Sequence, residues 1–359
     1  MNKLMKKDYK VVEHTKWYSL VSIAIILVAA VMMIVRAAQG NNVMNFGIDF
    51  TGGATIEFEL DSFAGEEDFR TKFDKEMRAI LDENYKISDQ LQVSPSTSGG
   101  YTYSYRLTYY FKGTYNDKTY NGPLGSSSEA HDAFIQSLKG DTFDKLVEKV
   151  TELVPDEAKS NFTTSNGSEY IRIFDVGPSA SQTLLNSAIL ATVVALVVIL
   201  IYIIIRFTFL SGFAAIIALL HDVAIMIALT AIFNIPVNST FIAAVITIIG
   251  YSINASIVVF DKVRECTNPN NAAFAMASDV EIANYSIKHS FIKIFLSTLT
   301  TLIMVVAVAL FAVSTIQEFV LPIIFGLISG LFSALCLSPT LWVAFRKIAA
   351  KRKSKKKTA

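Results

Sequence analysis

Six long apolar stretches constrain this chain more than any other feature, because each is long enough to cross a lipid bilayer. A membrane-spanning helix needs about 20 predominantly apolar residues. Hydrophobic residues make up 52% of the chain, and its mean hydropathy is +0.43. The sequence therefore predicts a polytopic α-helical membrane protein with six transmembrane helices. The stretches occupy approximately residues 17–37, 184–205, 208–233, 238–260, 291–314 and 320–345.

The only large polar block lies between the first and second stretches, at residues 38–183. Lysine and arginine collect on the cytoplasmic side of membrane proteins, and here they are concentrated before the first stretch and after the last. Six crossings return the chain to its starting side. We therefore expect cytoplasmic termini at 1–16 and 346–359, an extracytoplasmic domain over 38–183, and five helices over 184–345. Basic residues of the short loops fall on the cytoplasmic side: Arg206, Lys262, Arg264 and Lys288.

The first stretch has a second interpretation as a cleaved signal peptide, because it follows a basic segment and precedes Ala37 and Ala38. It is longer than the apolar region usual in such peptides, which favours a retained helix. The net charge of +1 gives no support for nucleic-acid binding. The basic C-terminal tail is expected to hold topology or to contact anionic membrane lipid. The only cysteines, Cys266 and Cys336, lie outside the polar block, so its stability must come from packing.

Alternating and helical patterns in the polar block predict an α+β domain. Residues 54–60 alternate apolar and polar side chains, as a strand does, and residues 66–84 place apolar side chains at helical spacing. The order β-α-β-β-α-β predicts a ferredoxin-like sandwich, inserted between helices 1 and 2. Further strands are expected at 91–93, 101–111 and 169–174, and a second helical pattern at 130–138 continues through 143–153.

Residues 94–128 form an insertion rich in Ser, Gly and Tyr. The favoured interpretation is an extended hairpin with aromatic pairs across its strands. The alternative is a surface for emerging unfolded polypeptide, because exposed tyrosines bind extended chains with little sequence preference.

Two short motifs stand at the ends of the polar block. Residues 46–53 are Phe-Gly-Ile-Asp-Phe-Thr-Gly-Gly, and residues 176–179 are Val-Gly-Pro-Ser. A Gly-rich run with one acid, followed by an alternating segment, is typical of a turn that leads into a strand. Together the motifs resemble the SecF subunit of the bacterial SecD/SecF protein-export complex, in the resistance-nodulation-division superfamily, where they open and close the extracytoplasmic domain. The motif residues are Gly47, Asp49, Phe50, Thr51, Gly52, Gly53, Gly177 and Pro178.

Polar residues inside the apolar stretches are the candidates for function, because ionisable groups in a membrane are costly and usually face a bundle interior or a wet path. The His221–Asp222 pair in the third stretch, and the run 250–265 beginning Gly-Tyr-Ser-Ile-Asn, both resemble SecF signatures. Small residues let helices approach closely. Candidates for a proton pathway are Asp222, His221, Asn254, Ser256 and Lys293, and candidates for helix packing are Gly250, Gly326 and Gly330.

One departure from the family bears on mechanism. The resemblance implies an acid directly after Gly-Tyr-Ser-Ile-Asn and an arginine on the next helix, both used in proton passage. These positions hold Ala255 and Lys293 here. At 1.5 Å per residue, Asp222 lies on the order of 20 Å deep, whereas Asn254 and Lys293 lie nearer the cytoplasmic side. We therefore expect Lys293 to stay near Asn254 or to extend to the interface, rather than to pair with Asp222.

Two acids keep alternative interpretations. Asp222 is expected to be a structural acid hydrogen-bonded with His221, a surviving proton-relay site, or a contact for a cation or lipid. Asp49 is expected to cap backbone N–H groups of its own Gly-rich loop, with a client or ion ligand as the alternative.

The function expected from the resemblance is transport-coupled rather than enzymatic. The sequence has no phosphate-binding loop, no His/Cys metal spacing and no nucleophile elbow, so neither an enzyme nor a cofactor is expected. The resemblance implies a SecD partner, association with the SecYEG translocon, unfolded secretory polypeptides as clients, and use of the proton motive force in late translocation at the bacterial plasma membrane. Because Ala255 replaces the acid, SecD is expected to supply the main titrating group. Alternatives are a proton-silent scaffold or client-binding subunit, and a small-molecule efflux transporter.

Overall fold

The computed structural model describes residues 10–39, 43–87, 91–95, 100–124, 127–162, 170–312 and 314–357. Within them, six helices are long and apolar enough to cross a membrane, which confirms the predicted number. The first five are Val11–Ala38, Pro178–Arg206, Phe209–Ile232, Ser239–Cys266 and Asp279–Phe311, and the sixth is built from Ser314–Phe332, the π-helical turn Ser333–Leu337, and Ser338–Lys357.

Most of the helices extend beyond the apolar stretches that predicted them, whereas the third, Phe209–Ile232, lies within its predicted stretch. The fifth begins at Asp279 instead of residue 291, because a capping box starts it. The Ser278 hydroxyl accepts the Glu281 N–H, and the Glu281 carboxylate accepts the Ser278 N–H at 2.7 Å. The first helix begins at Val11. Residues 1–9 of the predicted basic N-terminus lie outside the described residues.

The polar block folds as one antiparallel sheet with helices between its strands. The strand order is β2-β4-β1-β6, with β3 and β5 also paired to β4, which confirms the predicted ferredoxin-like arrangement. The helices Glu67–Leu81, Ser128–Ser137 and Phe143–Leu153 connect them. Residue 169 of the last predicted strand lies outside the described residues. The strands are β1 Gly53–Leu60, β2 Tyr85–Ile87, β3 Gln92–Pro95, β4 Tyr101–Tyr115, β5 Lys118–Pro123 and β6 Ile171–Val176.

Aromatic side chains fill the core of this outer domain. Phe58 on β1 contacts Phe73 and Tyr105 edge to face, with ring centroids 5.4 and 5.8 Å apart. Tyr103 and Tyr105 are fully buried, so these two tyrosines of the insertion stabilise the fold, each by roughly 1.5–3 kcal/mol of side-chain burial. The hairpin of β4 and β5 is present as predicted, and Phe111 contacts Tyr120 across it with ring centroids 5.9 Å apart. Residues 96–99 and 125–126 of the insertion lie outside the described residues.

The third, fourth and sixth helices form the centre of the membrane domain. Half or more of the apolar part of each is buried, whereas the first, second and fifth expose most of theirs. The outer domain contacts this bundle through the loop between the third and fourth helices. Phe46 and Val237 form a parallel bridge, in which Gly47 N donates to Val237 O and Val237 N donates to Asn45 O. The bridge holds the start of the outer domain against the start of the fourth helix.

Candidate functional site

Asp222 is a fully buried acid at the centre of the membrane domain. It lies 13 residues into a third helix that begins at Phe209 and is otherwise almost entirely apolar. A rise of 1.5 Å per residue places the carboxylate about 20 Å from that helix end. An ionised group at this depth requires polar partners from the same bundle.

Three serine hydroxyls from two other helices surround the Asp222 carboxylate. Ser252 of the fourth helix and Ser333 of the sixth each donate to Oδ2 at 2.5 Å, and Ser329 donates to Oδ1 at 2.7 Å. His221 Nδ1 lies 3.1 Å from Oδ1. A carboxylate can accept about four hydrogen bonds, so this arrangement satisfies the ionised form inside an apolar bundle.

Small residues bring the fourth and sixth helices close enough for these contacts. A Cβ added at Gly326 would lie 2.4 Å from the side chain of Ile248, and one added at Gly330 would lie 3.4 Å from Ser252 Cβ. Ser329 and Ser333 are four residues apart, so they share the helix face that meets Asp222. The π-helical turn begins at Ser333, and such turns are frequent at functional sites.

The site can accommodate a proton by rotating one hydroxyl. Ser333 Oγ lies 2.5 Å from Asp222 Oδ2 and also 3.3 Å from the backbone oxygen of Gly330. A serine hydroxyl carries one proton and two acceptor lone pairs. When Asp222 is ionised, Ser333 donates to it. When Asp222 is protonated, the acid donates to Ser333, which then donates to Gly330 O.

The structure separates the other predicted proton-pathway residues from Asp222. Ser256 is buried on the fourth helix, but the hydroxyl that reaches Asp222 is that of Ser252, one turn earlier. Asn254 lies on the exposed face of the fourth helix, and Lys293 on the exposed face of the fifth. Of the five candidates, only His221 and Asp222 are in contact.

Two contacts set the depth of Lys293 relative to Asn254. Tyr251 donates to Thr301, and Ser290 donates to the oxygen of Val258, so the fourth and fifth helices run antiparallel. Asn254 lies between Tyr251 and Val258 in the sequence, as Lys293 lies between Ser290 and Thr301. The expected similar depth of Asn254 and Lys293 follows from this register.

Two further residues of the fourth helix were singled out in the sequence: Ala255, at the position where the family has an acid, and Gly250, a candidate for helix packing. Ala255 is buried among apolar side chains of this chain. Gly250 faces open space, where an added Cβ would meet no atom within 4 Å, so the helix packing predicted there is not seen within the described residues. Sequence reasoning missed the serines because their roles depend on which helix faces meet, although Ser252 stands in the Gly-Tyr-Ser-Ile-Asn run.

A second polar cluster joins the outer domain to the membrane domain. Glu318, near the start of the sixth helix, accepts hydrogen bonds from Gln92 Nε2 at 2.6 Å and from Asn238 Nδ2 at 2.5 Å. Arg106 Nη2 lies 3.7 Å from Glu318 Oε1. Arg106 also donates to Gln92 Oε1 at 3.0 Å and to Asn45 Oδ1 at 2.8 Å. Both charged side chains are largely buried, beside a cavity of about 280 Å³.

Burial lowers the pKa of Arg106 from its ordinary value, and the opposing charge of Glu318 partly offsets this. Because desolvation disfavours a charge, the ion pair and the amide contacts are needed to keep the guanidinium in this position. Removing one partner would leave the other buried and unpaired.

Asp49 caps a helix that is distant in sequence, which corrects the expectation that it caps its own loop. Its Oδ2 accepts the backbone N–H of Ser239 at 2.8 Å and the Ser239 hydroxyl at 2.6 Å. Ser239 is the first residue of the fourth membrane helix, where unpaired N–H groups favour a carboxylate. Gly47 permits this approach, because a Cβ there would lie 1.5 Å from Asn238 Oδ1.

The two motifs at the ends of the outer domain meet in space. Gly53 begins β1 opposite Val176 of β6. A Cβ added at Gly52, whose φ is +70°, would lie 3.6 Å from the Pro178 Cα. Gly177 and Pro178 begin the second membrane helix. The remaining motif residues stabilise the junction: the Thr51 hydroxyl donates to Gly47 O at 3.1 Å, and Phe50 packs against the membrane core.

Gly53→Ala is expected to destabilise the outer domain by roughly 2–5 kcal/mol, from backbone strain and overpacking. The φ of Gly53 is +128°, and an added Cβ would lie 2.1 Å from the backbone oxygen of Leu107. Gly122→Ala is the matched control, because its φ is +151° but no atom lies within 4 Å. Urea unfolding of the full-length protein followed by proteolysis compares them. Equal losses would show that φ alone, and not the contact with β4, decides the cost.

Comparisons with known proteins identify the family. Residues 157–348 match the family described as protein export membrane protein SecD/SecF, C-terminal, and residues 38–62 match the SecD/SecF GG motif. The protein translocase subunit SecF of Rickettsia typhi is 30% identical over 313 residues, which cover 87% of this chain and 84% of the relative. This chain belongs to the SecF family. SecF of Rickettsia bellii is also 30% identical, over 84% of this chain and 83% of the relative.

Members of the wider SecD/SecF group include longer chains. The protein translocase subunit SecDF of Bacillus subtilis is 34% identical over 206 residues, which are 56% of this chain and 28% of that relative. The crystal structure of SecDF from Thermus thermophilus, a translocon-associated membrane protein, shares the fold with a TM-score of 0.64 and 23% identity. The structural match covers 97% of this chain and 40% of that SecDF chain.

Among described residues, no group of three or more His, Cys, Asp or Glu is placed to hold a metal ion.

Proposed function

We propose that this protein is an auxiliary, non-enzymatic subunit of the Sec export machinery, which acts with a SecD partner and the SecYEG translocon on unfolded secretory polypeptides. Its place is the bacterial inner membrane, with both termini cytoplasmic and the outer domain extracytoplasmic. It promotes late steps of translocation with the proton motive force. The observation that carries the proposal is the Asp222 site. Asp222 accepts hydrogen bonds from the fourth and sixth helices, and the first turns of these same two helices contact the outer domain.

The SecD partner is supported by the longer SecDF relatives and by the surface of this chain. Polar and small residues occupy exposed positions at helical spacing on the fourth helix: Thr247, Gly250 and Asn254. Lys293, Ser297 and Thr300 do the same on the fifth. Thr247 and Thr300 donate to backbone oxygens of their own helices. Lipid tails offer no hydrogen bonds to Asn254 or Lys293, whereas a neighbouring helix does. A second membrane half, supplied by SecD, therefore packs against this face.

Proton coupling is assigned to the two hydrogen-bond arrangements of Asp222. The ionised acid attracts three hydroxyl donors and draws the third, fourth and sixth helices together. The protonated acid needs one donor fewer, because it donates to Ser333. A change of protonation therefore changes the balance of contacts that hold these helices together.

The fourth and sixth helices transmit that change to the outer domain. From Ser252 to the capped end at Ser239 is 13 residues, or about 20 Å, and from Ser329 to Glu318 is 11 residues, or about 17 Å. Asp49, Gln92 and Arg106 hold those ends on the outer-domain side. Small shifts between the two helices become movements of the outer domain, which acts on the emerging polypeptide.

Export of a model secretory protein into inverted membrane vesicles tests the proposal. The vesicles contain or lack this chain, with and without an imposed proton gradient. We expect removal of the chain to slow completion of export only when the gradient is present. Equal slowing with and without a gradient would contradict proton coupling, and no slowing at all would contradict the export role.

A proton-silent scaffold that positions SecD is the second candidate. The exposed Lys293 and the apolar surroundings of Ala255 favour it, because the family's charge pair is missing at these positions. It predicts equal slowing under both conditions in the vesicle experiment.

A further inference from the structure

A small pocket lies between the ends of four membrane helices, on the side of the membrane where both chain termini emerge. Its walls come from the turn between the second and third helices, from the end of the fourth helix and from the last part of the sixth. Its volume is about 170 Å³. The lining includes Thr208, Phe209, Arg264, Thr267, Trp342 and Arg346.

Positive charge predominates around this pocket. Arg206 and Arg264 share the carboxylate of Asp261, at 3.2 and 3.4 Å. Arg346 pairs with Asp279 at 3.0 Å. Three guanidinium groups thus face two carboxylates, and no carboxylate lines the pocket within the described part of the chain.

The arginines retain capacity for an additional anion. The side chains of Arg264 and Arg346 are 49% and 47% exposed. Arg346 contacts Asp279 through Nε and Nη2 and lies over the Trp342 ring. A guanidinium has five N–H donors and favours phosphate oxygens. Thr208 and Thr267 belong to the same lining, but the Thr208 hydroxyl lies 2.9 Å from Ser211 Oγ and the Thr267 hydroxyl donates to Arg264 O. The arginines are therefore the donors that remain for an anion.

An exposed apolar surface continues from the pocket along the bundle. Phe209 lines the pocket, is 79% exposed and stacks in parallel on Phe213, which in turn contacts Phe345. Ile205, the next-to-last residue of the second helix, is also highly exposed. Such a surface at a helix end suits acyl chains, whose headgroup then lies at the pocket.

We propose that this pocket binds the phosphodiester headgroup of an anionic phospholipid, held by Arg264 and Arg346, with its acyl chains along Phe209 and Phe213. Basic pockets between membrane helices at this level bind anionic headgroups. The site is separate from Asp222 and from the outer domain, so it does not rest on the proposed export role. It would anchor the turn between the second and third helices to the lipid.

Native mass spectrometry of the delipidated full-length protein in detergent tests the site. Phosphatidylglycerol and phosphatidylcholine with identical acyl chains are titrated separately. We expect the first phosphatidylglycerol to bind about tenfold more tightly, and the double variant Arg264→Gln/Arg346→Gln to lose this preference, because each basic residue near a surface contributes on the order of 1 kcal/mol. Inorganic phosphate at the same concentration is expected not to displace the lipid.

Lys262→Gln/Lys347→Gln is the control, because it removes two charges from the same helix ends without touching the pocket lining. It should keep most of the preference. Phe209→Ala, at a highly exposed position, should weaken both lipids equally. Equal binding of the two lipids by the unmodified protein would overturn the site, as would equal losses in both double variants or full displacement by inorganic phosphate.

Discussion

Asp222→Asn is expected to abolish the gradient-dependent part of export while leaving the protein folded. The amide has nearly the shape of the acid, but it cannot gain or lose a proton. The amide has one acceptor oxygen, so it cannot accept from all three serines. If that oxygen faces Ser252 and Ser333, the nitrogen faces Ser329, which loses its acceptor. The cost to stability is about 1–3 kcal/mol, as for a buried donor left without its acceptor. The measurement is vesicle export with and without the gradient, combined with thermal unfolding in detergent.

A pair of serine variants separates a proton relay from a structural acid. Ser329 and Ser333 both donate to Asp222, but only Ser333 also lies near a second acceptor, Gly330 O. Each replacement by Ala removes one donor, so both should lower stability by similar amounts. If Asp222 exchanges a proton through Ser333, Ser333→Ala should reduce gradient-dependent export severalfold more than Ser329→Ala.

Glu265→Gln is the matched control, because it also replaces an acid of the membrane domain by its amide. Glu265 is exposed near the end of the fourth helix, away from Asp222. It should leave gradient dependence unchanged. Unchanged gradient dependence in Asp222→Asn would eliminate Asp222 as the relay, and the acid would then be a structural centre of three helices.

Breaking the Arg106–Glu318 pair is expected to give the second large effect. Arg106→Gln and Glu318→Gln each leave one buried charge without its partner, at a cost of about 3 kcal/mol or more. The double variant should be less destabilised than the sum of the two, by about 1–3 kcal/mol, because no unpaired charge remains. Urea-dependent proteolysis of the full-length protein reports the stability of the outer domain and its junction.

The matched control is Arg172→Gln, which breaks ion pairs with Glu57 and Glu59 on the outer-domain sheet. Arg172 is 46% exposed, and surface pairs contribute at most about 1 kcal/mol. A double variant whose loss equals the sum of the single losses would show that Arg106 and Glu318 are not coupled. The Asp49 cap, the bridge at Val237 and the packing of Phe50 would then hold the outer domain without a contribution from this coupling.

The outer-domain fold could be predicted from the sequence because most of its strands and helices have a periodic pattern of apolar residues within their own segments. The alternation of residues 54–60 gives β1, and helical spacing gives the helix Glu67–Leu81. The predicted helix boundaries were less accurate where a capping hydrogen bond, rather than a change in hydropathy, sets the first residue of the helix. Ser278 and Glu281 extend the fifth helix well beyond its apolar part, and a hydropathy pattern does not register such hydrogen bonds.

Sequence patterns did not predict which residues form hydrogen bonds with the buried or capping acids. Asp222 was a candidate because it is an acid in an apolar stretch, but its donors lie 30, 107 and 111 residues away. Asp49 was expected to act on its own loop and instead caps a helix that begins 190 residues later. Neither pairing has a local signature, because each depends on how two helices or domains pack.

The sequence by itself determined the six membrane helices, the ferredoxin-like pattern of the outer domain and the resemblance to SecF, because all three depend on periodicity, length and short motifs. It did not predict the short strand β2, Tyr85–Ile87. The tertiary structure alone decided that Asp222 meets three serines, that Lys293 and Asn254 lie on exposed faces, and that Glu318 holds Arg106. Hydrogen bonds and ion pairs act over about 3 Å, so only the packed arrangement of the helices selects which distant side chains come within that range.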